Sequence, residues 1–154
     1  MNEIALRIFG LHTKIARLKK TSNKFKIIAG ACLFFSFCYC HGTKSIENID
    51  KGQALLTNIV WFISIIALIG LYIKDSYCVK NSKLAEFEIY RLEVEDLNSK
   101  KDAARITGKV LPDDVLNKQI DIPDEKVSLP IIYYGILVGL DIIIRISLID
   151  ILSV

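Results

Sequence analysis

Residues that carry chemistry are scarce in this chain. Its 154 residues include two histidines, His12 and His41, one tryptophan, three prolines and four cysteines. There is no zincin helix, no G-x-S-x-G elbow, no Walker loop and no other phosphate-cradling glycine run. The common hydrolase, metalloprotease and nucleotide-binding sites therefore have nothing to be built from. Cys32, Cys38 and Cys40 sit inside an apolar run and Cys78 follows the next one, so they read as free thiols and not as a secreted disulfide framework. Cys38-Tyr-Cys40-His41 has soft-metal ligand types, but residues two apart point about 200° apart on a helix and chelate together only if it unwinds. The acids between Asp113 and Glu125 lack EF-hand spacing and its central glycine. The expectation is no enzyme, no cofactor and no metal.

What the chain has in abundance is apolar sequence, sorted from charge. Hydrophobic residues make up 52%, charged residues 24%, and mean hydropathy is +0.39. Two runs are free of charge, Ile27–Thr43 and Gly52–Ile73. The first is about 26 Å long as a helix, near the lower limit for crossing a bilayer, and the second is longer. They are joined by a short polar turn, which makes them antiparallel neighbours. The first run has a long basic segment ahead of it and no small-x-small cleavage site, so it reads as a retained span rather than a signal peptide. Residues 25–42 and 54–73 are the expected spans, with 43–53 an external loop.

Orientation follows from the flanks. Arg7, Lys14, Arg17, Lys19, Lys20, Lys24 and Lys26 face a single acid, Glu3, in the N-terminal segment, while the first loop holds only Lys44 and Lys51. Positive-inside places the N-terminus in the cytoplasm of a multi-pass plasma (inner) membrane protein. Ile4, Ile8, Leu11, Ile15 and Leu18 form one helical face, making residues 1–24 a basic amphipathic helix. It lies along the inner leaflet, with Arg7, Lys14, Arg17, Lys19 and Lys20 meeting lipid headgroups, or packs its stripe on another cytosolic helix. Membrane lipids are the expected partners of this basic segment, and nucleic acid is not.

Residues 74–126 read as a cytosolic helical segment with ten basic and twelve acidic residues. No proline or glycine occurs from Leu71 to Thr107, so the second span can run on as a long helix, with Asn81-Ser82 the expected interruption. Leu84, Phe87, Tyr90, Val94 and Leu97 keep a helical stripe, a candidate face for the N-terminal helix or a neighbouring subunit. Gly108 reads as a helix stop and Pro112-Asp113-Asp114 as a helix start.

The third apolar segment, 127–154, opens on Ser128-Leu129-Pro130 and carries Asp141, Arg145 and Asp150. A charge at the centre of a bilayer costs about 2.5–3.5 kcal/mol even on the lenient insertion scale, which makes Asp141 and Arg145 functional candidates. Spaced i, i+4, they share a face and can pair with each other or line a polar path; the alternative is a segment that does not span but lies flat or re-enters. Gly135 and Gly139 form a GxxxG motif on a different face, which suits close helix packing and a homo-oligomer. The fold class is an all-α integral membrane protein: a helical hairpin of two spans, a cytosolic helix and a third membrane helix.

The basic helix Lys14-Ile-Ala-Arg17-Leu-Lys-Lys20, the tight span–loop–span hairpin and the cytosolic helix Lys83-Leu-Ala-Glu-Phe-Glu-Ile-Tyr-Arg-Leu resemble in their order the SLATT group of bacterial two-span proteins. The likeness is one of architecture and covers roughly residues 10–105. It implies a membrane effector of a bacterial conflict system that oligomerises and opens a pore. The alternative is a non-conducting binding protein, such as a toxin-immunity, exclusion or complex-anchoring subunit.

Overall fold

The computed structural model describes residues 3–44, 51–124 and 129–152. Among them the chain is all-helical: α1 (Glu3–Lys44), α2 (Lys51–Thr107), the single turn α3 (Asp113–Leu116) and α4 (Ile131–Leu152). Most of the first loop, Ser128 and the side chain of Asp150 lie outside the described residues.

The basic amphipathic stretch and the first apolar run are one unbroken helix, and α2 likewise runs through Asn81-Ser82 without interruption. Serine and asparagine are modest helix formers, a preference that tertiary packing overrides, and Ser82 is buried. Gly108 ends α2 with φ +64°, a left-handed conformation that a Cβ would strain. α3 starts after Pro112, whose carbonyl accepts from the amides of Val115 and Leu116. α4 starts directly after Pro130, whose carbonyl accepts from the Tyr134 amide.

Two compact units divide the chain. The first comprises residues 1–19 and 79–128. Its core is Ile15 of α1 against Ala85 and Ile89 of α2, with Ile8 and Leu11 packed alongside. The N-terminal apolar stripe thus packs on another helix of the protein, one of its two expected locations. The face of α2 that receives it carries Ala85 and Ile89, with Leu92 also buried on that side. That is a different face from Phe87, Tyr90, Val94 and Leu97, which are half-buried, while Leu84 is exposed. The small side chain at Ala85 lets the helix axes approach, which bulkier residues on the other face do not allow.

The second unit comprises residues 20–78 and 129–154. Ala29 of α1, Leu68 of α2, and Tyr134 and Leu137 of α4 form its core, with Leu33, Leu71, Tyr72 and Val138 against them. The Tyr133 hydroxyl donates to the Lys26 carbonyl at 2.9 Å, and Tyr134 meets Tyr72 edge-on at 5.6 Å. Among the described residues, α2 is long and apolar enough to cross a membrane, with mean hydropathy 2.3 over its most apolar stretch.

Candidate functional site: a polar interior in an apolar three-helix unit

The second unit has an inverted distribution of polarity. Two carboxylates, Asp75 and Asp141, are fully enclosed at 0% exposed, and Ser22, Ser36, Thr57 and Ser64 are buried with them. Its exposed side chains include Phe34, Phe35, Ile63, Ile66, Ile142 and Ile143. Water-soluble domains bury such isoleucines and phenylalanines and leave unpaired carboxylates in solvent.

Three polar contacts occupy that interior. In the first, the Ser36 hydroxyl of α1 donates to Asp141 Oδ1 of α4 at 3.1 Å, while Asp141 Oδ2 is buried without a partner. In the second, the Arg145 guanidinium donates to the Asn58 side-chain carbonyl of α2. The same guanidinium lies 5.6 Å over the Trp61 ring, a cation–π contact. Trp61, which sits deeper in its helix than an interfacial tryptophan should, has this arginine to cover. The third is Asp75 of α2 beside Tyr134 of α4. The two groups interact electrostatically, yet both carboxylate oxygens and the phenol are buried without a hydrogen-bond partner in standard geometry.

Asp141 and Arg145 therefore do not pair with each other along α4; each takes a partner from a different helix. An intrahelical i, i+4 pair fixes one helix, whereas these two contacts tie α4 to α1 and to α2. Gly135 is exposed and Gly139 half-buried, and a Cβ added at either would touch nothing within the chain. The GxxxG face is thus unused by the three-helix packing. Tyr72, Tyr134 and Gly135 border an apolar groove of about 280 Å³ between α2 and α4.

Asp75 was not singled out in the sequence, because Lys74-Asp75 looks like the first charged pair beyond a span. Its burial is a tertiary effect of Tyr134 arriving from α4. The only local signal is the absence of a basic residue at 71, 72, 78 or 79, the neighbouring turns that could have paired it. Cys78, one turn on, is buried, and this burial together with the Asp75 charge pushes its thiol up from the ordinary value.

In the first unit Arg7, Lys14, Arg17 and Lys19 are exposed on α1, as is Lys20 just beyond it. Lys19 pairs with Glu86 at 3.1 Å, and Lys83 reaches the other Glu86 oxygen at the same distance. Burial raises the Glu86 carboxyl, but the two lysines outweigh it and hold the group below its ordinary value. Among the described residues no group of three or more metal-ligating side chains converges. No family model, no curated protein and no solved structure matches this chain.

Proposed function

We propose that the chain is a multi-span membrane protein that acts on the bilayer itself, as a small membrane-perturbing or pore-forming effector of the kind its SLATT-like order of parts implies. The observation that carries this is the inverted polarity of the three-helix unit, with aliphatic and aromatic side chains outward and Asp75 and Asp141 inward. A bilayer is the solvent in which that arrangement is favourable, because the exposed face needs no water and buried polar groups hold helices together. Ionisable residues at such depth are costly and are kept for pathways. α1, α2 and α4 then all cross, with the basic N-terminal segment in the cytoplasm of a plasma membrane. The unused Gly135/Gly139 face supplies the contact for a homo-oligomer.

A non-conducting anchoring or immunity subunit is the second reading, favoured by Arg145, whose charge is already engaged by Asn58 and Trp61. Membrane potential separates the two. Induced expression of the wild type should depolarise cells, and Asp141→Leu should change the leak while the protein still inserts. An unchanged potential at verified membrane expression would leave the anchoring reading standing alone.

A further inference from the structure

We propose that the ion moved by this protein is the proton, carried along the interior of each three-helix unit by Asp75 and Asp141, an inference that rests on the effector reading above. Both carboxylates are 0% exposed, so no water-sized sphere reaches either from outside. A hydrated metal cation is larger than a water molecule and would need the helices to separate. A proton needs only a chain of oxygens.

The two ends of that chain are present. Asp141 Oδ2 and the hydroxyls of Ser64 and Ser76 are buried without a hydrogen-bond partner, and the Asp75 carboxylate has only the adjoining Tyr134 phenol. In a fold whose helical backbone groups are satisfied, so many unused side-chain oxygens in one apolar unit are capacity for further hydrogen bonds. Their placement along the helices is regular. Asp75 lies beside Tyr134, and Arg145 bonds Asn58. Interpolating between those two contacts puts Asp141, already holding Ser36, at the level of Ser64. From Asn58 to Asp75 along α2 the string is about 26 Å long at 1.5 Å per residue. That nearly matches a hydrocarbon core of about 30 Å. From the level of Asp75 and Tyr134 to that of Ser64 and Asp141 is about 16 Å along α2, past Leu68 and Leu137 of the apolar core, so carriage across it requires water to enter between those side chains.

The transfer step is simple. A proton binds Asp141 Oδ2 as a new O–H bond while Ser36 stays on Oδ1; breaking that bond toward the next hydroxyl or water restores the carboxylate. No electrons move, and one positive charge crosses per passage. The charged and titratable groups near the string are few. Tyr134 from α4 and Cys78 from α2 adjoin Asp75. Arg145 lies one turn from Asp141 and is engaged with Asn58 and Trp61. Among the described residues no cationic side chain of α1 forms an ion pair with either carboxylate.

The test is the full chain in phospholipid vesicles loaded with a pH-sensitive dye, under a potassium gradient clamped by valinomycin. Wild type should acidify or alkalinise the lumen as the potential dictates. Asp141→Asn and Asp75→Asn, which keep shape and hydrogen bonding, should each slow this at least tenfold. Asp141→Glu should restore part of the rate, and Asp121→Asn, on the exposed surface of the other unit, should leave it unchanged. Dicyclohexylcarbodiimide, which adds across a protonated apolar carboxyl to give a stable N-acylurea, should label wild-type Asp75 or Asp141 by mass spectrometry and stop the flux, a readout independent of any variant's folding. Potassium or chloride leak with no proton flux, or proton flux indifferent to both asparagine variants and to the carbodiimide, overturns the proton assignment and leaves the effector reading intact. No flux of any ion from verified, inserted protein overturns the effector reading and this inference with it.

Discussion

Ile15→Ala and Phe9→Ala form a matched pair of perturbations on α1. Ile15 is 8% exposed and packs on Ala85 and Ile89; Phe9 is 71% exposed. Truncating Ile15 removes three buried carbons at about 0.8 kcal/mol each, with a small cavity term added. The cluster is small and two of its members, Ile8 and Leu11, are only partly buried. The helices can therefore collapse part of the way, and the loss belongs at the lower end of the usual range, about 2–3 kcal/mol. Alanine also gains a few tenths of a kcal/mol of helix propensity, but it does so equally for Phe9→Ala, so the contrast survives. Amide hydrogen exchange of the full chain in micelles reads the loss directly, since local opening sets the exchange rate. Amides around Ile15 and Ile89 should exchange about 30- to 150-fold faster in Ile15→Ala, and Phe9→Ala should change them by less than about threefold. Equal loss in both variants, or a greater loss in Phe9→Ala, would show that the α1 stripe seats elsewhere, and the helix–helix packing argument would fail.

Three further outcomes follow from the same contacts. Gly108→Ala forces a Cβ into a left-handed conformation, costing about 1 kcal/mol, and should accelerate exchange at the last turn of α2 about fivefold. Glu86 has its folded carboxyl held below the ordinary 4.5, so its contribution is complete above that value and fades as pH falls through the lowered one. Because Lys19 and Glu86 are partly solvated, the effect is at most about 1 kcal/mol. Protection around Lys83 and Glu86 should drop on acidification in the wild type and drop less in Glu86→Gln. Asn58→Leu leaves the Arg145 guanidinium without its carbonyl acceptor, and should lower the thermal midpoint in micelles more than Thr57→Val, whose hydroxyl is spent on its own helix at Gln53.

The helical character of the chain was legible from its spacing and its punctuation. Gly108 and Pro112 stand where α2 stops and α3 starts, because a left-handed residue and a ring without an N–H act locally. Continuity was harder to read. Asn81-Ser82 looks like a break when only intrinsic preference is weighed, yet α2 runs straight through it. The face of α2 that meets α1 is inconspicuous in the sequence for a related reason. Phe87, Tyr90, Val94 and Leu97 dominate any count of apolar residues, but close approach of two helices rewards a small residue, and Ala85 supplies it against Ile15.

The polar interior shows the sharper limit. Asp141 and Arg145 stand out because they interrupt an apolar run, and their i, i+4 spacing suggests a partnership that costs no tertiary information. Folding offered each a competitor: a hydroxyl on α1 for Asp141, and an amide and an indole on α2 for Arg145. Spending the two charges on different helices yields two interhelical ties in place of one intrahelical bond, and it leaves one Asp141 oxygen unused. Asp75 is the complement of that case. Nothing in Lys74-Asp75-Ser76 marks it, and its significance arises only when Tyr134 closes over it. Its carboxylate is fully enclosed, and that enclosure is made by α2 and α4 together and not by the local sequence.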